Sequence, residues 1–223
     1  MATRSELELL NDDIVGCRLC PRLVEYAADV RENRRKTGYA ADEYWCQPVP
    51  SFGGRDAWLL IVGLAPGTHG AGRTGRPFTG DYAGELLYRT LWEQGWGSNP
   101  NSHSREDGLK LEGVRIANAL RCAPPQNKPT GEELKQCRPF LERELQLLPQ
   151  LEMVLALGGV AHRQVVTAVG GRQVDFRFGH GARHSLPGVE WGLVDSYHPS
   201  RYNLNTRRLT EEQFSVVLSS LRE

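Results

Sequence analysis

Four short apolar runs, separated by segments with helical spacing, constrain the fold most tightly. They are residues 57–63 (AWLLIVG), 114–120 (VRIANAL), 153–158 (MVLALG) and 192–197 (GLVDSY). Runs this short and this continuously apolar read as strands buried on both faces, as in a parallel sheet. After the first, AGELLYRTLWEQG places Leu87 and Leu91 on one seam and Gly95 at the helix end. After the second, Thr130 and Glu133 form a capping box ahead of Leu134, and a helix restarting at Pro139 carries Leu141, Leu145 and Leu148. After the third, Val160 to Ala168 reads as another helix. Strands alternating with helices imply β-α-β units. The expected fold is therefore α/β, a three-layer α/β/α sandwich with a central four-stranded parallel sheet, as a single domain over residues 1–223. A chain of 223 residues suffices for one well-buried core and is cramped for two domains.

Composition matters here for what it excludes. At 39% hydrophobic and 24% charged residues the chain is neither disordered nor membrane-like, and it contains no run of eighteen apolar residues. The N-terminal MATRSELELLNDD carries acids where a signal peptide would carry an apolar core, so a cytoplasmic location is expected. Lysine plus arginine equals aspartate plus glutamate at 27 each, which rules out a global basic footprint and makes any nucleic-acid contact local. Local candidates are Arg31 to Lys36, Arg73 with Arg76, and Arg201 with Arg207 and Arg208, each of which alone reads as a solvated face before a phosphate site.

Ligands of open α/β sheets bind beyond the carboxyl ends of the strands, so the loops there carry the interest. They are GLAPGTHGAGRTGRPFTGD, NALRCAPPQN, GGVAH and YHPSRYN. Gly70, Gly72 and Gly75 match GxGxxG, but the match begins seven residues past Gly63 and runs into Arg76-Pro77 instead of turning from strand straight into helix. What remains is a loop whose glycines admit backbone amides close to a flat ligand, with Phe78 either stacking on it or serving the core. Asp81, the one carboxylate of this loop, can cap a helix starting near Tyr82, act in catalysis, or do both. His198, held by Pro199 beside Ser200 and Arg201, can donate a hydrogen bond to charge developing on a leaving group or be merely structural, and Ser200 and Arg201 can bind phosphate. His69, His103, His162, His180 and His184 are scattered, with only His69 placed for a loop role.

Cys17 and Cys20 (CRLCPRL) stand a hundred residues before Cys122 and Cys137 (RCAPPQNKPTGEELKQCRPFL). Pro21 and Pro139 suit first helical positions, which would put Cys20 and Cys137 at helix N-termini where a thiol pKa is lowered, as a thiolate metal ligand needs. Such a set fits four-cysteine zinc or an iron-sulfur cluster, and spacing does not separate them. The alternatives are buried unpaired cysteines or a disulfide, and a reducing cytoplasm favours metal. Cys46 has no partner motif and reads as structural.

Taken together, GLAPG (Gly63 to Gly67), GRPFTGD (Gly75 to Asp81), RCAPP (Arg121 to Pro125), HPSR (His198 to Arg201) and the four cysteines resemble the iron-sulfur branch of the uracil-DNA glycosylase superfamily, over residues 14–210. Uracil-specific relatives have an acidic second residue in the first motif, GEAPG. Leu64 stands there instead, as in the family 5, or type B, group. The resemblance implies a monofunctional base-excision enzyme that hydrolyses the N-glycosidic bond of uracil and other deaminated bases, such as hypoxanthine, and leaves an abasic site. It implies catalysis by Asp81 and His198, and a base pocket of Gly63, Leu64, Ala65, Gly67, Phe78 and Asn118, with Asn127 as an alternative pocket or DNA contact. Ser200, Arg201, Asn203 and Arg207 would hold DNA. Cys17, Cys20, Cys122 and Cys137 would hold a structural [4Fe-4S] cluster, with zinc as the alternative. The expected partner is DNA containing deaminated bases, bound by a monomer without membrane association. No lysine stands in the strand-end motifs, Lys128 being nearest. Readings from other classes are an iron-sulfur redox protein and a zinc-stapled nucleotide-binding module without catalysis.

Overall fold

The computed structural model describes residues 5–222. Six strands form one sheet: β1 (Phe52–Gly53), β2 (Leu59–Gly63), β3 (Val114–Asn118), β4 (Met153–Leu157), β5 (Arg183–Ser185) and β6 (Gly192–Ser196), in the order β1-β3-β2-β4-β6-β5. The four predicted strands are its parallel centre, and the expected count is corrected by two antiparallel edges, β1 on β3 and β5 on β6. These edges, two and three residues long, are too short to leave an apolar pattern. Leu59 lies opposite both Val114 and Met153, and Met153 opposite Gly192, so the carboxyl ends align: Gly63 beside Asn118, Leu157 beside Ser196.

The helices are α1 (Glu6–Gly16), α2 (Pro21–Asn33), α3 (Ala71–Thr74), α4 (Tyr82–Glu93), α5 (Gly131–Gln146), α6 (Gly159–Ala168), α7 (Arg201–Asn205) and α8 (Glu211–Ser219). Strand alternation sorts the core into two layers. Leu59, Ile61, Val114, Ile116, Leu155 and Leu157 pack with Leu87 and Leu91 of α4 and Phe214 and Leu218 of α8. Leu60, Val62, Val154 and Ala156 pack with Leu10 and Ile14 of α1, Leu141 and Leu145 of α5, and Val165 of α6. Each of the larger side chains among these contributes about 1.5–3 kcal/mol when fully buried.

Helix α5 does not restart at Pro139; it runs unbroken through it. The capping box launches it, with Thr130 Oγ1 accepting from the Glu133 amide at 3.2 Å and Glu133 Oε2 accepting from the Thr130 amide at 2.8 Å. Once nucleated, the helix tolerates a proline that merely lacks one amide donor, because Leu141 and Leu145 beyond it are buried. Cys137 therefore lies inside a helix, whereas Cys20 is the N-cap of α2 as expected. Further along α5, Glu144 is fully buried and accepts from Arg115 Nε at 2.6 Å and Arg121 Nη2 at 2.5 Å. Arg121 also donates to Ser51 Oγ at 2.5 Å, tying α5 to β3 and the segment before β1.

Candidate active site

The aligned strand ends open into a cavity of about 230 Å³ lined by Leu64, Ala65, Gly67, Phe78, Asp81, Asn118, Asn127, His198 and Ser200, together with Ala71 and Ala83, which the sequence alone does not single out. Gly63 stands behind it. A Cβ there would lie 2.4 Å from Asn118 Oδ1 and 2.7 Å from Phe78 Cζ, so only glycine lets the Phe78 ring settle against the strand end. Phe78 is held at φ 53, a left-handed conformation that costs a non-glycine residue energy. Gly84 leaves room for the Phe78 carbonyl, which a Cβ there would overlap at 1.7 Å, and Tyr88 Oη holds the segment by donating to the Pro77 carbonyl at 2.7 Å. The ring stacks on His198, centroids 5.7 Å apart and planes at 26°.

Asp81 caps and faces the cavity at once. Its Oδ1 accepts from the Gly84 amide at 3.0 Å as the N-cap of α4. Its Oδ2 lies toward the glycine loop, where a Cβ on Gly70 would come within 2.5 Å and one on Gly67 within 3.4 Å. Burial raises its pKa, partly offset by the amides of Gly84 and Ala83. Asn118 is buried, and its Oδ1 has no hydrogen-bond partner among the described residues. Burial lowers the His198 pKa to about 4, so the ring is neutral near pH 7.

At the rim, Asn127 is exposed at φ 56. Ser200 Oγ caps α7, accepting from the Asn203 amide at 3.3 Å, while Asn203 Nδ2 turns inward and donates to the His198 carbonyl at 2.8 Å. Arg201 and Arg207 are exposed, Arg201 lying over the Tyr82 ring at 4.8 Å. Two sequence readings need correction. Arg73 and Arg76 are no basic patch: Arg73 pairs with Asp42 at 2.5 Å, and Arg76, 3% exposed, pairs with Asp107 at 2.5 Å. The histidines are not all scattered, since His162 and His184 meet on Asp195 and His180 stacks on Tyr197 at 5.2 Å. His69 instead bonds Tyr44 Oη through Nδ1 at 3.0 Å, outside the cavity lining.

Cys17, Cys20, Cys122 and Cys137 line one hollow with Leu120 and Phe140, all four as free thiols, which excludes a disulfide between them. The Arg121 amide donates to Cys137 Sγ at 3.3 Å. The surroundings of the thiols act against the lowering expected from the helix termini. Burial raises Cys122 to about 12 and Cys137 to about 11, with neighbouring thiols adding to it, and Cys20 is raised too. Desolvation outweighs any helix terminus here. Four sulfurs from three separate segments, one already accepting an amide hydrogen, fit a thiolate-bound metal group. Cys46, at φ 47, does not line that hollow but shares a neighbouring one with Cys17 and Cys122.

A flat aromatic wall, one unpaired amide oxygen, a carboxylate and a neutral histidine around one cavity form a pocket that can hold a planar ring, the kind of site a base-handling α/β enzyme needs. The chain belongs to the uracil DNA glycosylase superfamily, whose sequence profile matches residues 50–222. It is 48% identical over 205 residues to the type-5 uracil-DNA glycosylase of Thermus thermophilus, covering 92% of each chain. It is 42% identical to that of Pyrobaculum aerophilum, covering 92% of this chain and 87% of the relative. The type-4 uracil-DNA glycosylase of Archaeoglobus fulgidus is 31% identical over 95% of this chain and 92% of its own.

Proposed function

We propose that this chain, acting as a single domain and a monomer, excises uracil from DNA by hydrolysing the N-glycosidic bond, and accepts hypoxanthine and other deaminated bases. The observation that carries the reading is the unpaired, buried Oδ1 of Asn118 beside the Phe78 ring in a cavity of about 230 Å³. A buried acceptor without a partner costs about 1–3 kcal/mol, which a ligand's N–H offsets. Uracil and hypoxanthine both present a ring N–H next to a carbonyl. One amide therefore serves both, and the apolar side chain of Leu64 adds no discrimination against either.

The target base must leave the duplex to reach this pocket, at least cost where it is mispaired. Asn118 and Phe78 then orient it. As the bond breaks, positive charge grows on the sugar and negative charge on the base. Asp81, with Oδ1 occupied by the α4 cap, keeps Oδ2 to stabilise the sugar or position water. His198, neutral near pH 7, donates a hydrogen bond to the departing base without having to give up a charge. Ser200, Arg201 and Arg207 hold phosphates, Asn203 braces the His198 turn, and Asn127 meets DNA at the rim. Cys17, Cys20, Cys122 and Cys137 would hold a [4Fe-4S] cluster, which supplies a cross-link between the segment after α1, the loop after β3 and α5.

Duplexes carrying a single uracil or hypoxanthine, treated with alkali after incubation, should both break at the base. Cleavage of neither by iron-loaded protein would sink the reading. Lys128 is exposed and no lysine lines the cavity, so borohydride should trap no covalent adduct. Brown colour with matched iron and sulfide distinguishes the cluster from zinc.

A further inference from the structure

Asp195, on β6 three residues before His198, has a wholly buried carboxyl group. One oxygen lies 2.8 Å from His162 Nδ1 of α6 and the other 2.9 Å from His184 Nε2 of β5. The Gly179 amide donates to the second oxygen at 3.2 Å. No arginine or lysine pairs with Asp195 among the described residues. The other ring nitrogen of His162, Nε2, lies 2.9 Å from the Phe176 carbonyl oxygen. A carbonyl only accepts, so Nε2 carries a hydrogen. In the neutral ring Nδ1 is then a bare lone pair aimed at a carboxylate oxygen. Two electron-rich atoms do not rest 2.8 Å apart unless something positive stands between them.

A second proton on His162 would serve that pair alone. The cluster holds more: the ligand atoms of His162, His184 and Asp195 all lie within 4.8 Å of one another, with each nitrogen 2.8–2.9 Å from a carboxylate oxygen, so small side-chain shifts would bring all three onto one small cation with bonds of about 2.0–2.2 Å. The outer contacts are those of a ligand set. The Phe176 carbonyl fixes the His162 tautomer, the Gly179 amide orients the carboxylate, and the Phe176 and Phe178 rings pack edge-on against the imidazoles. We propose that His162 Nδ1, His184 Nε2 and the Asp195 carboxylate bind one divalent cation of the zinc class. Two imidazoles and one carboxylate suit a borderline first-row ion over magnesium or calcium. The ion staples residues 176–184 to α6 and β6, directly beneath the strand end that carries Tyr197 and His198. This inference is independent of the enzymatic reading.

The test uses the full-length, tag-free protein with its cysteine site loaded, dialysed against zinc and then metal-free buffer, beside His184→Ala treated identically. Both proteins hold the same cysteines, so their difference in zinc by elemental analysis isolates this site. Wild type should retain one zinc equivalent that His184→Ala lacks and His184→Cys recovers. Cobalt in its place should give ligand-field bands without thiolate charge transfer. Equal zinc in wild type and His184→Ala overturns the proposal and leaves a proton between His162 and Asp195. If His184→Ala does not fold, histidine nitrogen resonances of wild type decide: shifts at His162 Nδ1 and His184 Nε2 on adding zinc support the site, and unchanged resonances overturn it.

Discussion

Two buried polar regions on opposite faces of the sheet follow opposite rules. Around Glu144 both carboxylate oxygens are taken, by Arg115 and by Arg121, and Ser51, Asn11 and the Gly53 carbonyl accept further guanidinium hydrogens, Arg121 Nε being the one atom of the group without a partner among the described residues. Around Phe78 the partners are withheld: Asn118 Oδ1 has none, and Asp81 has one oxygen turned to the glycine loop. The first region holds β3, α5 and the N-terminal segment together. The second lowers stability, because a buried polar group without a partner is unfavourable until something binds it. The first arrangement cross-links elements of the fold, whereas the second leaves polar atoms at a cavity open to a ligand.

The sharpest way to break the comparison is Glu144→Ala, which leaves two buried guanidiniums uncompensated. It should cost about 3–5 kcal/mol in denaturant unfolding, with whatever protein remains folded still excising uracil. Asp81→Asn should do the reverse, reducing single-turnover excision about 100- to 1000-fold while shifting unfolding by under about 1 kcal/mol, since an asparagine also caps α4. Unchanged turnover would return Asp81 to capping alone. Asn118→Leu removes an unpaired acceptor and should raise stability by about 1 kcal/mol while lowering excision of uracil and hypoxanthine together, since both present the ring N–H that Oδ1 would accept. A loss of stability would mean that Asn118 has a partner after all.

The smallest effect expected is a slope with pH. Folding lowers the His198 pKa from 6.5 to about 4, so between those values the unfolded chain binds the extra proton and stability falls as pH falls. His198→Gln should flatten that stretch. Glu144 acts lower down: burial alone would raise its pKa, but Arg121 and Arg115 outweigh it and the net shift is downward from 4.5. Its contribution is present above that pH and lost below it, and it survives in His198→Gln. Thermal unfolding followed across pH in the two proteins separates the two windows.

The parallel centre of the sheet was legible because its strands are buried on both faces and are therefore apolar throughout. The pocket was legible because parallel strands deliver their following loops to one rim, so Asp81, Asn118 and His198 could be gathered before any distance was known. The edges β1 and β5 were not, since two or three residues paired by backbone alone need no distinctive side chains. Pro139 misled because proline is equally compatible with a first turn and with an interior that packing holds together. Arg76 and Asp107, or His162 and Asp195, lie 31 and 33 positions apart, and nothing local in either segment announces its partner. The thiols were read from their helix termini alone, but pKa follows the whole surroundings, which only the packed hollow reveals.

The left-handed backbone at Phe78, for which Gly84 leaves room, has a consequence for timing. A wall already settled before a base swings in loses no rotamer freedom when it is met, so a poorly fitting base finds nothing that yields and can return to the stack at once. On the proposed function, rejection would then be as quick as unflipping itself, and the protein would pass along undamaged duplex with little delay.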